Sequence, residues 1–314
     1  MYNSSMLNVY QQTLSQSVNF EGVGLHTGLK SKITIKPGKE DQGILFIRTD
    51  LSKNNQILAN YKNVSSAKLC TTLMNKNKVK VSTVEHLLAA LYISEIDNAI
   101  IEINSEEVPI LDGSSKEFLN GLRNIEVVKQ GKKRKYLKIK EKVDLKLHDK
   151  EISISPNGFS FQIEFKLNYE NEIIGKQKNS INLNQDNLEN LYTSRTFCLL
   201  EDIDNIKKMG LAKGGTLENA LVVDKNKILN SDGLRNSKEF VNHKILDLVG
   251  DFMLSGYRIL GYVNCYQGGH QLSCQFLSTL FKNSSSKFEI LELETNKITS
   301  ISHEKYSSRV AVNA

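Results

Sequence analysis

Residues 237–256 constrain the fold most strongly, because this segment combines an apolar helical pattern with three ionisable side chains. His243, Asp247 and Asp251 are spaced four residues apart, so on a helix they project from one stripe. The remaining faces carry the apolar residues Val241, Ile245, Leu246, Leu248, Val249, Phe252 and Met253. A helix this apolar is largely buried, and a buried charge without a partner is costly. The stripe therefore indicates a metal-binding or catalytic surface; the alternative is an exposed face on which His243 merely pairs with Asp247.

The length of the chain, 314 residues, exceeds the roughly 250–300 residues that one core usually supports, so we expect two domains. Each half runs through strands, a helix and a further strand, and the polar, basic stretch 127–135 is the predicted boundary. The first domain then covers residues 1–127 and the second covers residues 133–303. Residues 304–314 are predicted to form a loose tail.

Hydrophobic periodicity gives a coarse map of the secondary structure. Alternating and short apolar runs predict strands at residues 31–36, 44–48, 99–103, 136–139, 143–147, 152–155, 159–167 and 259–266. Helical spacing of apolar residues predicts helices at residues 82–92, 116–122, 184–192 and 237–256. The first and last of these helices carry histidines and belong to different predicted domains.

The cysteines restrict the chemistry that the chain can support. Cys70, Cys198, Cys265 and Cys274 are scattered and form no Cys-x-x-Cys pair, so neither a disulfide framework nor a thiolate zinc site is expected. A reducing cytoplasm fits this pattern, and any metal would be held by imidazole and carboxylate groups. The polar first residues do not resemble a signal peptide. No stretch approaches the about 18 consecutive apolar residues of a membrane span.

The net charge of +6 has a local origin. Much of the positive excess lies in Lys132, Lys133, Arg134, Lys135 and Lys138. We interpret this cluster as a solvated face and not as a nucleic-acid patch, because no aromatic residues alternate with the basic ones. A basic surface would still help to attract an anionic substrate.

Two further segments place a histidine where it could serve chemistry. Glu85 and His86 are adjacent in a predicted helix, which suits a general base beside a metal ligand. The alternative is structural, since Ser82 and Glu85 also fit a capping box. His270 follows two glycines, which allow a sharp turn that places an imidazole at the edge of a cleft. The alternative there is a hairpin turn carrying a surface histidine.

Several short segments follow one another along the chain: 22–28 (GVGLHTG), 82–87 (STVEHL), 112–114 (DGS), 194–197 (SRTF), 214–215 (GG), 232–235 (DGLR), 240–247 (FVNHKILD) and 268–270 (GGH). The glycine-rich segment 22–28 by itself resembles a phosphate loop, but it lacks the GxGxxG pattern and the Walker lysine–serine pair. Taken together, the segments resemble one family, the zinc-dependent UDP-3-O-acyl-N-acetylglucosamine deacetylases of lipid A synthesis. They span nearly the whole chain in the family's order, and the ordered set is specific although each segment alone is weak.

The resemblance implies an α+β fold of two similar domains, each a sheet layered against helices, with the active site between them. It implies that His86, His243 and Asp247 bind Zn²⁺. An insert of about residues 197–232 is expected to form an apolar passage for the fatty acyl chain.

The resemblance also assigns catalytic roles. Glu85 would be the general base, and His270 would be the general acid or stabilise the oxyanion. Asp251 would orient His270 and keep it charged, and Thr196 would donate a hydrogen bond to the oxyanion. Lys244 is expected near the phosphates of the substrate. The full set of implied substrate-binding residues is Lys244, Phe197, Leu25 and Gly215.

The implied reaction is hydrolysis of the N-acetyl group of UDP-3-O-acyl-N-acetylglucosamine, which releases acetate and the free 2-amine. We expect a cytoplasmic monomer of a Gram-negative bacterium with no nucleic-acid partner and no transmembrane segment. The competing interpretations are a zinc amidohydrolase with another N-acetylated substrate and a non-enzymatic basic binding module.

Three positions depart from the family pattern or have no assigned role. Gln267 stands where members often have a basic residue, so a phosphate or nucleoside contact expected there is in doubt. Lys213 places a charge beside the glycine pair, near the predicted acyl passage, where it either extends outward or shortens the pocket. Cys70 has no feature of a reactive thiolate in its sequence neighbourhood.

Overall fold

The computed structural model describes residues 7–282 and 284–294, so His303 and the predicted tail 304–314 lie outside the described residues. The elements of the first half are β1 (Tyr10–Leu14), β2 (Val18–Val23), β3 (Lys30–Pro37), β4 (Ile44–Arg48), β5 (Gln56–Leu58), the 3-10 helix η1 (Tyr61–Asn63), β6 (Val64–Ser66), β7 (Thr72–Met74), β8 (Lys80–Val81), α1 (Glu85–Ile93), β9 (Ala99–Ile103), α2 (Lys116–Arg123) and β10 (Val127–Lys133).

The second half continues the same mixture of strands and helices. Its elements are β11 (Lys135–Ile139), β12 (Val143–Leu147), β13 (Lys150–Ser155), β14 (Phe161–Asn168), β15 (Lys176–Asn182), α3 (Glu189–Tyr192), β16 (Phe197–Leu199), α4 (Leu200–Lys208), β17 (Leu221–Asp224), β18 (Lys227–Ile228), α5 (Glu239–Met253), β19 (Arg258–Tyr266), α6 (His270–Lys282), α7 (Ser284–Lys287) and β20 (Phe288–Glu292). Among the described residues, no helix is long and apolar enough to cross a membrane.

The first half is built on a five-stranded sheet with the order β2-β3-β9-β4-β5. In β3 the alternation of the sequence KSKITIKP buries Ile33 and Ile35 completely, as period-2 patterning requires. Helix α2 covers this sheet at Phe118, whose ring lies 5.1 Å from the ring of Phe20 on β2. The main sheet of this half is therefore layered against a helix, and β6, β7 and β8 form a separate three-stranded sheet.

The second half is built on a seven-stranded sheet in which β19 is central. β19 pairs with β11 and β14 in parallel and with β13 antiparallel. The ring of Phe252 on α5 lies 6.1 Å from Phe161 on β14 and 6.0 Å from Phe276 on α6. The two helices thus cover the sheet through aromatic contacts, and the predicted α+β class with two similar layered units is confirmed.

The predicted boundary segment is a strand, because β10 pairs antiparallel with β1. We therefore propose that the first domain extends to Lys133, a little beyond the predicted limit at residue 127. The solvated face expected for the basic cluster is wrong for Arg134, which is buried. Its guanidinium bonds Asp97 at 2.7 Å and also pairs with Glu95, so carboxylates from a distant segment make its burial possible.

One local prediction and two of the alternatives considered were also wrong. The capping box at Ser82 and Glu85 does not form, because Ser82 Oγ donates to the carbonyl of Glu106 and the Glu85 carboxylate accepts from the Thr71 amide. The helix predicted at 184–192 is limited to Glu189–Tyr192. The surface hairpin considered at His270 is absent, since His270 is buried and begins α6.

Candidate metal and catalytic site

The site forms where α1 of the first half crosses α5 of the second. Gly250 permits this crossing, because a Cβ at that position would lie 2.1 Å from the carbonyl oxygen of Glu85. Helix α1 is buried along most of its length, and α5 is buried except at Lys244 and its C-terminal Met253. The apolar circumference predicted for α5 therefore packs into the protein core, and its polar stripe faces the first turn of α1.

Three buried side chains converge at this crossing. His86, His243 and Asp247 each place one ligand atom within 4.8 Å of the other two. Asp247 Oδ1 lies 3.2 Å from His243 Nε2 and 3.5 Å from His86 Nε2. The exposed alternative for the α5 stripe is therefore wrong, and the spacing argument that grouped His243 with Asp247 is confirmed in geometry.

The cluster has the chemistry of a cation site. His243 Nδ1 lies 3.1 Å from the carbonyl oxygen of Ser194, which can only accept, so Nδ1 carries the proton and Nε2 presents its lone pair. Asp247 Oδ1 is buried and has no hydrogen-bond donor. A buried carboxylate oxygen beside two imidazoles is costly unless a positive charge satisfies it. Two nitrogens and one oxygen are a donor set that suits a tetrahedral ion with one open position.

The protonation states agree with this arrangement. Burial lowers the pKa of His243 to about 3, so its imidazole is neutral, as a ligand must be. Burial alone would raise the pKa of Asp247, but His243 and Lys244 hold it well below its ordinary value. Lys244 Nζ lies 3.1 Å from Asp247 Oδ2, which gives this carboxylate a fixed cationic neighbour.

A carboxylate and an imidazole flank the cluster. His270 Nε2 lies 3.5 Å from Glu85 Oε1 and 3.8 Å from Asp247 Oδ2. Burial raises the pKa of the Glu85 carboxyl. Burial alone would lower the pKa of His270, but Asp251, Glu85 and Asp247 raise it to about 10. Glu85 is thus suited to accept a proton at neutral pH, and His270 carries one to donate.

Asp251 is hydrogen-bonded to His270 and to Thr71, which also contacts Glu85. It accepts hydrogen bonds from His270 Nδ1 at 2.9 Å, from Thr71 Oγ1 at 2.6 Å and from Ser273 Oγ. Thr71 also donates its amide to Glu85 Oε2 at 3.0 Å, so one residue orients both carboxylates. The proposed acid and base therefore share one hydrogen-bonded support.

Thr196 and Phe197 follow Ser194, whose carbonyl oxygen lies 3.1 Å from His243 Nδ1. The Thr196 amide donates to the carbonyl of Gly113 at 2.8 Å, which ties this strand end to the first half. The ring of Phe197 lies 6.3 Å from the His243 ring and 5.3 Å from Lys244 Nζ. Both side chains are half-buried, and the ring of Phe197 borders the site.

The other predicted substrate contacts meet at the insert. The carbonyl of Leu25 accepts from the Gly214 amide at 3.0 Å, and Leu25 Cδ1 lies 3.6 Å from the Cβ position of Gly215. The insert comprises α4, which buries no residue, and the small sheet β16-β17-β18. Three of its apolar side chains are exposed: Leu200, Met209 and Leu217.

The three unassigned positions now have a structural setting. Lys213 is exposed, so its charge extends outward. Gln267 Oε1 accepts from the Asn168 amide at 2.8 Å, which engages its side chain in the fold. Burial beside Glu85 raises the pKa of Cys70 to about 12, so its thiol stays protonated at neutral pH, as its sequence neighbourhood indicated.

Sequence reasoning assigned no role to three supporting residues: Thr71, Ser273 and Ser194, the first residue of the matching segment 194–197. Thr71 and Ser194 act through contacts with segments distant in sequence, and no spacing pattern signals them. Ser273 follows His270 by three residues on α6, so a prediction of that helix would have placed both on one face.

Among the described residues, one buried group of three side chains could hold a metal ion, and Glu85 and His270 lie beside it. This arrangement is typical of metal-dependent hydrolases. A family model described as LpxC, UDP-3-O-acyl N-acetylglycosamine deacetylase, matches residues 11–282. The chain belongs to this deacetylase family, which confirms the resemblance inferred from its ordered motifs.

Individual relatives agree with the family model. A protein of Geotalea uraniireducens (strain Rf4) named UDP-3-O-acyl-N-acetylglucosamine deacetylase is 39% identical over 285 residues, which cover 90% of this chain and 92% of the relative. A protein of the same name from Haemophilus ducreyi (strain 35000HP / ATCC 700724) is 37% identical over 281 residues, which cover 88% and 92%. The similarity therefore extends over nearly the full length of both relatives.

Proposed function

We propose that this protein hydrolyses the N-acetyl group of UDP-3-O-acyl-N-acetylglucosamine, releasing acetate and the free 2-amine for lipid A synthesis. The observation that carries the proposal is the pairing of His270 Nε2 with Glu85 Oε1 at 3.5 Å beside the ligand trio. Amide hydrolysis requires a base for the water and an acid for the departing amine, and these two groups supply both. Family membership supplies the substrate class.

The metal that we propose is Zn²⁺, held by His86, His243 and Asp247, because two imidazoles and a carboxylate suit it and leave one position open. When bound, zinc would polarise the acetyl carbonyl and lower the pKa of a water from 15.7 to about 7.

The protein's own groups would carry the protons. Glu85 takes a proton from water as it attacks the acetyl carbonyl. Thr196, two residues after the Ser194 carbonyl that faces His243, donates to the oxyanion that develops on the acetyl carbonyl. His270, kept protonated by Asp251, gives its proton to the sugar nitrogen as the carbon–nitrogen bond breaks.

The substrate would lie between the two halves of the chain. Lys244 Nζ beside the cluster is a point charge for a phosphate, and Phe197 flanks it. Leu25 and Gly215 meet at the insert, where exposed apolar side chains suit the fatty acyl chain. We also propose a cytoplasmic site of action, because all four cysteines are free thiols.

The substrate assignment is tested by comparing deacetylation of UDP-3-O-acyl-N-acetylglucosamine with that of the same acylated sugar lacking the nucleotide. We expect the nucleotide-free sugar to lose at least tenfold in kcat/KM, with the loss mostly in KM. Lys244→Ala should reduce this preference. Equal kcat/KM for the two substrates would instead identify an amidohydrolase for another N-acetylated substrate.

A further inference from the structure

Glu107 is a fully buried carboxylate outside the ligand and acid–base set. It lies after β9, where its backbone forms a parallel bridge with Ser82, and its carbonyl accepts from Ser31 Oγ at 2.6 Å. Its side chain has no exposed surface. None of the ion pairs formed by the described residues involves Glu107. A charge buried without a cation has to be stabilised entirely by hydrogen bonds.

Four donors meet the Glu107 carboxylate. Oε1 accepts from the His26 amide at 2.8 Å and from Thr83 Oγ1 at 2.8 Å. Oε2 accepts from the Thr27 amide and from Thr27 Oγ1, both at 2.7 Å. Each carboxylate oxygen therefore accepts a hydrogen bond from one backbone N–H group. A glutamine side chain at this position has only one acceptor oxygen, so in either orientation its NH₂ group would face one of the two backbone N–H donors. The geometry therefore requires a side chain with two acceptor oxygens.

One set of these bonds fixes the turn that leads into α1. Thr83 has a φ of 56°, in the left-handed region that a β-branched residue rarely adopts. Such a conformation persists only when its surroundings hold it. Glu85 and His86 follow two and three residues later, so the position of this turn determines where the proposed base and metal ligand lie.

The other bonds fix the loop of residues 24–28. Gly24 permits the approach of the carboxylate, because a Cβ there would lie 2.3 Å from Glu107 Oε2. The same loop contacts the insert through the carbonyls of Leu25 and His26, which accept from the amides of Gly214 and Lys213. One buried carboxylate therefore connects the first turn of α1 with the loop that contacts the proposed acyl passage.

We propose that Glu107 is a positioning residue that holds the Thr83 turn and the 24–28 loop in register, and thereby fixes Glu85 and His86 at the metal site. Only the measurement of kcat and KM in its test rests on the proposed function. Its zinc-affinity readout is independent of any substrate, so failure of the two proposals can be distinguished.

The experiment compares Glu107→Gln and Thr83→Val with Glu106→Gln, a neighbouring carboxylate that is partly exposed and pairs with Lys80. Zinc affinity is measured by competition with a chelator, kcat and KM are measured on the zinc-loaded protein, and melting temperature monitors folding. Loss of a group that orients a metal ligand typically weakens metal binding about 10- to 100-fold. We expect Glu107→Gln to show a loss of this size together with a lower kcat, while Glu106→Gln stays within about twofold of the unchanged protein.

Thr83→Val removes one hydroxyl and keeps the β-branched shape, so it breaks the bond from Thr83 Oγ1 to Glu107 Oε1 together with the contact of that hydroxyl with Cys70. We expect it to weaken zinc binding in the same direction, and it carries the test if Glu107→Gln fails to fold. A purely structural Glu107 would instead lower the melting temperature and leave zinc affinity and kcat unchanged in the folded protein, which would overturn the proposal. Unchanged zinc affinity in Thr83→Val would overturn it equally.

Discussion

The crossing of α1 over α5 depends on Gly250, and Gly250→Ala tests whether this crossing sets the metal site. The added methyl would lie 2.1 Å from the carbonyl oxygen of Glu85, whereas ordinary contacts begin near 3.4 Å. The two helices therefore have to separate locally by roughly 1 Å. Since His86 is on α1 and His243 and Asp247 are on α5, the separation divides the ligand trio.

The expected effect on stability is small because two contributions offset one another. Alanine is favoured over glycine inside a helix by about 1 kcal/mol, and overpacking typically costs about 1–3 kcal/mol. Catalysis is more sensitive, since a displacement of about 1 Å can cost about 100-fold in rate. We expect Gly250→Ala to lose about 100-fold in kcat/KM and to bind zinc more weakly, while the free energy of unfolding falls by at most about 2 kcal/mol.

The assays are chemical unfolding of the metal-free protein, zinc competition and deacetylation by the zinc-loaded protein. Met253→Ala is the control, because this half-buried residue ends α5 and its loss removes packing without adding an atom against α1. It should lower stability and keep zinc affinity. If Gly250→Ala folded and retained both zinc affinity and kcat/KM, the close approach of the helices would not determine the site.

Four further substitutions separate the proposed roles. Asp247→Ala should lower zinc occupancy and activity together, whereas Glu85→Ala should keep zinc and lose most turnover. Bound metal is measured beside the activity assay. If Glu85→Ala lost zinc and Asp247→Ala kept it, the roles assigned to these two residues would be wrong. Asp251→Asn removes the charge that does most to raise the pKa of His270. The alkaline limb of the kcat/KM profile, where deprotonation of the acid abolishes activity, should therefore move to lower pH. A limb that does not move would show that His270 is not the acid. Thr196→Val should lower kcat by about 100- to 1,000-fold with zinc affinity retained, and a loss confined to KM would argue against an oxyanion contact.

The sequence predicted those parts of the site that lie on one element. The four-residue spacing of His243, Asp247 and Asp251 is preserved on α5, because helical geometry alone determines which side chains share a face. Strands such as β3 were predicted for the same reason, since alternation records which face is buried. The role of Gly250 could not be predicted, because a glycine permits a close approach only relative to a partner helix that spacing does not identify.

The wrong predictions have long-range causes. Arg134 is buried because Glu95 and Asp97, nearly forty residues away, pair with it. The polar stretch at 127–133 forms a strand because β1 supplies its hydrogen bonds, although its sequence lacks apolar alternation. His270 begins a helix that two preceding glycines had obscured. In each case a tertiary partner decides the local structure, and local pattern carries no record of that partner.

The most direct test of the account is a metal titration of deacetylation. Purified protein is assayed on UDP-3-O-acyl-N-acetylglucosamine before and after chelation and during stepwise return of Zn²⁺, with bound metal measured in parallel. Three proposed ligands and one open position predict that activity disappears with the chelator and returns in proportion to zinc up to one ion per chain. Metal-replete protein that releases no acetate, or activity that survives complete removal of metal, would contradict it.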